Sequence, residues 1–171
     1  MGVAEELVAD IRGGLLRWYD FQPGARALYI GSEEDGLYAV LCQADLHVEH
    51  CSMEQVVDSD WGRAHQGVFQ YIISVEDLER TVEPVHYLEQ WKRLLSAHGR
   101  LLLGLNNRLG IRYFCGDRDP YTGRNFDGIE NYFRAYGRRE DVFQGRMYSQ
   151  AEIRQMLRDS GWGMVRFFSI L

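Results

Sequence analysis

Residues 68–74 read VFQYIIS, a continuous run that is mostly apolar and rich in β-branched side chains. A run of this length predicts a strand that is buried on both faces, as is typical of a parallel sheet. A second such run, RLLLGL, covers Arg100–Leu105, and Pro84–Ala97 between the two predicts a helix with proline in its first turn. Strands that alternate with helices indicate right-handed βαβ units. We therefore predict an α/β protein with a mostly parallel sheet.

The same alternation continues upstream of this pair of strands. The segments predicted there from their apolar spacing are an amphipathic helix over 4–19, a strand at Ala25–Ile30, a helix at Leu37–Ala44 and a weak strand at Leu46–His50. The loop Gly31–Gly36 connects the first strand to the helix that follows it.

Downstream, Ser149 and Glu152 have the spacing of a capping box, which predicts a helix that runs to Ser160. Met164–Ile170 is predicted to be a last strand. Beyond these elements we find no internal repeat or linker, so we predict one domain.

Composition restricts the class of protein. The chain has 171 residues, 46% hydrophobic, which suffice for a sizeable core, and its net charge of −6 argues against a binder of duplex nucleic acid. Three cysteines without CxxC spacing predict neither a disulfide framework nor a zinc site, and the scattered histidines make no recognisable metal set. No apolar run is long enough for a bilayer span and no signal-peptide pattern is present, so we expect a cytoplasmic protein.

A long polar segment follows the strand at Arg100–Leu105. Residues 101–132 read LLLGLNNRLGIRYFCGDRDPYTGRNFDGIENY, which is far more than a turn requires, and such loops commonly line a functional site. Arginine can bind a phosphate or carboxylate through paired hydrogen bonds, and aromatic rings can stack on a sugar. The residues that we expect to bind an acceptor are Asn107, Arg108, Tyr113, Tyr121, Arg124 and Tyr132. Pairing of the arginines with acids inside the segment is the alternative, and Phe114 is expected to pack onto the sheet.

Two carboxylates in this segment are candidates for the chemistry. Asp127 and Glu130 are three residues apart, so they share a face if Phe126–Phe133 forms a helical turn. Either one could act as a base or bind an acceptor. The alternative is a structural role, in which each carries charge at a helix N-terminus and pairs with Arg124 or Arg108.

The loop after the first predicted strand is where doubly wound folds bind ligands. Here it reads GSEEDG over Gly31–Gly36, and its three adjacent carboxylates disfavour a phosphate ligand. S-adenosylmethionine (SAM) has no phosphate and carries positive charge, so it tolerates acidic neighbours. Glu49, near the end of the second predicted strand, could accept hydrogen bonds from ribose hydroxyls. The alternative is a solvated acidic turn and a surface glutamate.

Several stretches resemble a known family. They are LRWYDF at Leu16–Phe21 leading to PGARALYIG at Pro23–Gly31, Gly99–Leu105 followed by NRLG at Asn107–Gly110, YFCG at Tyr113–Gly116, TGR at Thr122–Arg124, FDGIE at Phe126–Glu130, and Tyr148-Ser149. In these motifs the chain resembles class I SAM-dependent methyltransferases. It is more closely similar to bacterial methyltransferase domains that occur with glycosyltransferases of surface-polysaccharide synthesis. Asn106 stands where that family has glutamate.

The resemblance implies a Rossmann-like sheet with helices on both faces. On this basis the single methyltransferase-like domain divides into an N-terminal helix (1–22), a core (23–105), an acceptor-side insertion (106–148) and a final helix and strand (149–171). SAM would lie against Gly31, Ser32, Glu33, Gly36, Glu49, Val75 and Glu76. Val56–Asp58 would be a remnant of the family's third strand, with Asp58 as the acid on the adenine side.

The chain also departs from the family. The family's first loop has the form Gly-x-Gly-x-Gly, and Glu33 and Asp35 stand at its second and third glycine positions. The stretch after Glu49 is contracted, and the family's last strand is missing. We expect either that the sequence is a piece of a longer protein or that a covering partner or a homo-oligomer protects the open sheet edge.

Two functions follow as hypotheses. The first is a SAM-dependent methyltransferase that acts on a sugar or related small acceptor in bacterial surface-glycan synthesis. The second is a degenerate methyltransferase fold that does not bind SAM and serves as an interaction or regulatory module. A third possibility, an NAD-type oxidoreductase, is disfavoured by the glycine spacing.

Overall fold

The computed structural model describes residue 14, residue 16, and residues 18–34 and 36–169. These residues divide into two compact units. The first unit comprises the described residues up to Val75, Glu89–Gly104 and the described residues from Arg166 onward. The second unit comprises Glu76–Leu88 and Leu105–Val165. None of the helices in the described part of the chain is both long and apolar enough to cross a membrane. The helix expected over 4–19 falls almost wholly outside the described residues.

Four parallel strands form the sheet of the first unit, in the order β2-β1-β3-β4. They are β1 (Arg26–Ile30), β2 (His47–Cys51), β3 (Phe69–Val75) and β4 (Leu95–Gly104). The helices are α1 (Gly36–Cys42), α2 (Met53–Val56), α3 (Ser59–Ala64), α4 (Pro84–Leu94), α5 (Ile111–Phe114) and α6 (Gln150–Asp159), with a 3₁₀ turn at Asp77–Arg80. The predicted α/β fold with a parallel sheet is confirmed.

One core cluster of the first unit lies between α1 and one face of the sheet. Leu37 and Leu41 are four residues apart on α1, so they point to the same side of the helix. Both are fully buried in one cluster with Tyr29 of β1 and Ile73 of β3. The strands predicted at the start of the chain and at VFQYIIS are thus in place, with small shifts of their ends.

The helix predicted over Pro84–Ala97 ends earlier than expected, so the predicted end at Ala97 is wrong. α4 ends at Leu94 and β4 begins at the next residue, because Leu95 pairs with Phe69 of β3. The pairing then shifts, and Arg100 lies opposite Tyr71. Strand pairing thus replaces the last helical turn that local sequence favours.

Helices, and not a remnant strand, follow β2, so the prediction for Val56–Asp58 is wrong. The Ser52 hydroxyl accepts a hydrogen bond of 3.2 Å from the amide of Gln55 and caps α2. Asp58 then caps α3 by accepting from the amides of Asp60 and Trp61 at 3.0 and 2.8 Å. These two caps satisfy amides that would otherwise be unpaired at the helix starts, and they favour helix over strand.

The predicted last strand is also wrong for the residues that can be judged. Residues 162–169 form neither a strand nor a helix. A largely apolar run becomes a strand only where a neighbouring strand supplies hydrogen bonds. Among the described residues, β4 pairs with β3 alone.

The second unit consists mainly of turns around buried polar side chains. Its longest helix, α6, begins with the predicted capping box, which is confirmed. The Ser149 hydroxyl accepts from the amide of Glu152 at 3.3 Å, and the Glu152 carboxylate accepts from the amide of Ser149 at 2.7 Å. This exchange satisfies donors at both ends of the first helical turn.

Candidate functional site

The carboxyl ends of β1 and β3 mark the point where the strand order of the sheet reverses. From β1 the chain proceeds outward to β2 and then returns to β3 on the other side of β1. In open α/β sheets ligands bind at this switch point. At this edge Ile30 lies opposite Cys51 and Ser74, and the amide of Gly31 donates to the Cys51 carbonyl at 3.0 Å.

Gly31, the first residue after β1, has no room for a side chain. A Cβ there would lie 2.7 Å from Cζ and 2.8 Å from Cε1 of the Tyr29 ring. The glycine is therefore required by the protein's own packing. It also leaves the backbone bare at the switch point, as close approach of a ligand needs.

The loop after Gly31 is held by short-range contacts. The Ser32 hydroxyl accepts from the amide of Glu34 at 3.2 Å, and the Glu33 carboxylate lies 3.1 Å from Nε2 of His50 at the end of β2. Asp35 lies outside the described residues, and Gly36 begins α1. Four of the residues expected to bind SAM, namely Gly31, Ser32, Glu33 and Gly36, are thus brought to the switch point.

Glu49 is placed differently from the prediction. It lies two residues before the end of β2, opposite Leu28. Its carboxylate accepts from the Arg26 guanidinium at 2.6 Å and lies 3.6 Å from Nε2 of His65. Arg26 begins β1 and His65 precedes β3, so the Glu49 carboxylate faces the amino ends of the strands.

The remaining residues of the expected SAM site have local roles. The Asp58 carboxylate is used as the cap of α3. Val75 ends β3 and packs against the core of the first unit. In the second unit, Glu76 has a left-handed φ of 68°, which is uncommon for a residue with a side chain, and its carboxylate accepts from Nδ2 of Asn106 at 3.1 Å.

Two residues expected to bind an acceptor hold the second unit together. Arg108 donates from Nε to the Glu152 carboxylate at 2.7 Å and from Nη1 to the Gly128 carbonyl at 3.2 Å. Asn107 accepts from the amide of Leu109 at 3.1 Å. Pairing of Glu152 with Arg108 and its bonds from Ser149 hold the pKa of Glu152 below its ordinary value despite partial burial.

The expected aromatic platform is mostly inside the fold. Tyr113 and Tyr132 are buried, whereas Phe114, expected to pack onto the sheet, is 55% exposed. The Tyr121 ring is half-buried against Gly145, where an added Cβ would clash with the ring. The prediction for Phe114 is therefore wrong, because α5 turns Tyr113 inward and leaves its neighbour outside.

A buried aspartate anchors the turn around Tyr121. One oxygen of Asp119 accepts from the amides of Tyr121 and Thr122 at 2.9 and 3.0 Å. The other accepts from the Tyr132 hydroxyl at 2.7 Å, and that hydroxyl accepts from the amide of Met147 at 2.7 Å. Burial raises the pKa of Tyr132 far above its ordinary value, so its hydroxyl remains a donor.

The two candidate carboxylates do not share a helical face. Phe126 and Tyr132 have left-handed φ values of 69° and 60°, and residues 126–133 form turns instead of the helical turn that was expected. Asp127 is buried and accepts from Arg124 Nε at 2.8 Å, whereas Glu130 pairs with Arg134 at 2.9 Å. Asp127 therefore pairs with Arg124, as the alternative for these acids expected, whereas the partner of Glu130 is Arg134, which that alternative did not name.

A residue that the sequence reading missed is the most deeply buried acid of the described part of the chain. Glu79 is 0% exposed, and its carboxylate accepts from the backbone amide of Asn106, from Asn106 Nδ2 at 3.2 Å and from the Tyr121 hydroxyl. Burial raises the pKa of Glu79 to about 7. No sequence signal marks it, because EDLER is typical of an exposed turn.

Chemically, the first unit therefore offers a bare glycine and an exposed carboxylate at a switch point. The second offers a buried acid bonded to a phenol, and acids that are paired with arginines. In the described part of the chain, no group of three or more His, Cys, Asp or Glu residues could hold a metal ion.

The chain is similar in fold to solved methyltransferase structures. A protein from Bacillus halodurans C-125 that is named as a methyltransferase matches with a TM-score of 0.57 at 12% identity, over 89% of this chain and 68% of its own. Mycolic acid cyclopropane synthase CmaA1, solved with S-adenosylhomocysteine (SAH) and CTAB, matches with 0.57 at 18% identity, over 97% and 64%. Haemonchus contortus phosphoethanolamine N-methyltransferase 2, solved with SAH and phosphomonomethylethanolamine, matches with 0.52 at 14% identity, over 94% and 37%.

At these identities the likeness shows the fold alone. The Rossmann-like fold that the sequence predicts is thereby confirmed, and it is the fold of SAM-dependent methyltransferases. This chain spans 64% and 37% of the length of the last two structures. No protein-family model and no curated protein matches the chain.

Proposed function

We propose that this chain is a SAM-dependent methyltransferase domain that acts on a sugar or related small acceptor in bacterial surface-glycan synthesis. The observation that carries the proposal is Gly31, a bare backbone position at the switch point of a methyltransferase-type sheet. Structures of this fold have been solved with SAM or SAH bound. The glycan context rests on the sequence resemblance in the segment after β4.

The residues of the first unit are compatible with SAM. The Glu33 and Glu49 side chains are 61% and 39% exposed, and their ion pairs are at the surface. Such pairs typically contribute about 0–1 kcal/mol, so a ligand can displace them at little cost. Gly31, Ser32 and Glu33 would contact the methionine part, and Glu49 would bind the ribose after it leaves Arg26.

Bound SAM would supply a methyl group on a positively charged sulfur, and its transfer to a hydroxyl oxygen leaves neutral SAH and a proton. Glu130 is the better of the two candidate acids to accept that proton, because its side chain is 38% exposed. Asp127 has a side chain that is 4% exposed and is held by Arg124, which suits a structural carboxylate.

Calorimetry with SAM and SAH tests the cofactor. We expect micromolar dissociation constants, and a thermal shift that corresponds to about 2.7 kcal/mol at a ligand concentration ~100-fold above the dissociation constant. Glu33→Gln and Glu49→Gln should each weaken binding. Asp20→Asn, an exposed acid outside the loop, is the matched control and should not. Absence of binding at millimolar SAM and SAH would overturn the proposal.

The acceptor requires a separate experiment. The protein is incubated with SAM and a panel of sugars, sugar phosphates and nucleotide sugars, and release of SAH is measured. We expect one class to stimulate SAH release, and Glu130→Gln to reduce that release without altering SAM affinity. SAM binding with no stimulation by any member of the panel would overturn the sugar acceptor and leave the cofactor assignment intact.

A second function, an interaction module without SAM, is favoured by a specific observation. The Tyr29 ring covers one side of Gly31, and Glu33 is tied to His50. If these side chains exclude SAM, Glu33→Gly combined with Asp35→Gly should create binding where the parent has none. Equal affinity of parent and variant would contradict such exclusion.

A further inference from the structure

Glu79 joins three parts of the second unit at one buried carboxylate. It lies on the 3₁₀ turn that follows β3, and both of its oxygens accept hydrogen bonds from the long polar segment. One partner, Asn106, is near the start of that segment, and the other, Tyr121, lies fifteen residues further on. The backbone carbonyl of Glu79 also accepts from the amide of Arg146 at 2.8 Å.

Among the described residues, no cation balances the charge on this carboxylate. Within the described residues, no lysine, arginine or histidine forms an ion pair with Glu79; Arg80 lies instead over the Tyr121 ring, at 5.5 Å from its centroid. The Glu76 carboxylate shares the Asn106 side chain with Glu79 and adds a like charge. The other titratable groups around Glu79 are the phenols of Tyr113, Tyr121, Tyr132 and Tyr148. The charged guanidinium of Arg146 is also nearby and lies over the Tyr132 and Tyr148 rings.

We propose that gain and loss of a proton at Glu79 control how firmly the segment Asn106–Tyr121 is held in the second unit. A buried carboxylate without a cation is less stable ionised than neutral, because burial removes the water that would solvate its charge. Loss of the proton therefore favours local opening, in which Glu79 reaches water. The segment is held firmly in mild acid and is released more often in mild base.

This proposal does not depend on methyl transfer, so it is tested on the protein alone. The backbone amide of Asn106 donates directly to Glu79. Its ¹H and ¹⁵N chemical shifts should therefore titrate with the carboxylate, with a midpoint near neutral pH. A midpoint at the ordinary value for glutamate, or no titration between pH 4 and 8.5, would overturn the proposal without any variant.

Hydrogen exchange then measures the opening itself. After correction for intrinsic exchange, peptides within Asn106–Tyr121 should open on the order of tenfold more often at pH 8 than at pH 6. Glu79→Gln is neutral at every pH and should abolish this dependence. Tyr121→Phe removes one donor to the ionised form and should move the midpoint upward.

Glu83→Gln is the matched control, because Glu83 is exposed and follows the same turn. It should retain the pH dependence of the parent. If Glu79→Gln does not fold, the comparison of Tyr121→Phe with Glu83→Gln still decides the matter. Equal midpoints in these two variants would contradict a role for the Tyr121–Glu79 bond.

Discussion

The Arg26 guanidinium at the start of β1 donates a hydrogen bond of 2.6 Å to the Glu49 carboxylate of β2. The pair lies toward the amino ends of the strands. The switch point, where folds of this type bind ligands, is at the opposite, carboxyl ends. If Glu49 binds the ribose of SAM, its side chain must first leave Arg26. The pair then competes with the cofactor.

This competition predicts that Arg26→Gln increases affinity for SAM. The variant removes the charge that holds Glu49, and the gain should be about two- to fivefold, because an exposed ion pair contributes at most about 1 kcal/mol. Calorimetry with SAM measures it. Arg63→Gln, at another exposed arginine of the first unit, is the control and should bind like the parent. Weaker binding by Arg26→Gln would show that the pair supports the site.

The contact between Gly31 and Tyr29 predicts a coupled pair of substitutions. Gly31→Ala places a methyl group in the Tyr29 ring and should lower the free energy of unfolding by about 2 kcal/mol. Tyr29→Leu removes the ring, so Gly31→Ala should be better tolerated in that background. Urea unfolding of the four proteins gives the coupling energy. Additive effects of the two changes would contradict the contact.

The Glu152 carboxylate of the capping box also pairs with two arginines. We therefore expect removal of Glu152 to destabilise the protein more than removal of the Ser149 hydroxyl. Ser149→Ala removes the cap and should lower the free energy of unfolding by about 1 kcal/mol. Glu152→Ala should cost more, about 2 kcal/mol, since Arg108 and Arg146 also lose their partner. The pKa of Glu152 is lowered by folding, so its contribution is lost as pH falls. Urea unfolding at pH 7 and pH 4 checks both statements; a larger loss from Ser149→Ala would contradict them.

Two isoleucines give a matched test of the core. Ile73 of β3 is fully buried, whereas Ile111 at the start of α5 is 78% exposed. Ile73→Ala should lower the free energy of unfolding by about 2–5 kcal/mol, because it removes buried apolar atoms and leaves a cavity. Ile111→Ala should change it by less than about 0.5 kcal/mol. Similar values for the two variants would show that the sheet is not the core of the first unit.

The sequence predicted structure correctly where the local residue pattern favours the same element as the tertiary contacts do. Five of the seven residues in Val68–Ser74 are apolar, and Ser149 with Glu152 forms its cap within one turn, so both elements are marked by a local pattern. It failed at Leu95, where pairing with Phe69 decides between helix and strand. It also missed the caps at Ser52 and Asp58, although both residue types are typical of helix starts.

The candidate site was harder to predict than the fold. Sequence shows which side chains can carry charge, but it does not show which of them pair with one another. Arg108 and Arg124 were expected to bind an acceptor and are used by Glu152 and Asp127. Glu79 escaped notice because its burial results from contacts with residues 27 and 42 positions further along the chain.

Glu79 finally predicts that stability falls as pH rises, the reverse of the usual behaviour of carboxylates. Folding raises its pKa from 4.5 to about 7, so the folded state binds the proton more tightly than the unfolded chain does. The stabilisation is fully present below pH 4.5 and is lost as pH rises through 7. The loss between pH 5 and pH 8 should be about 2 kcal/mol. Urea unfolding at the two pH values measures it, and Glu79→Gln should lack this difference. If the parent and Glu79→Gln change equally with pH, Glu79 does not gain its proton on folding.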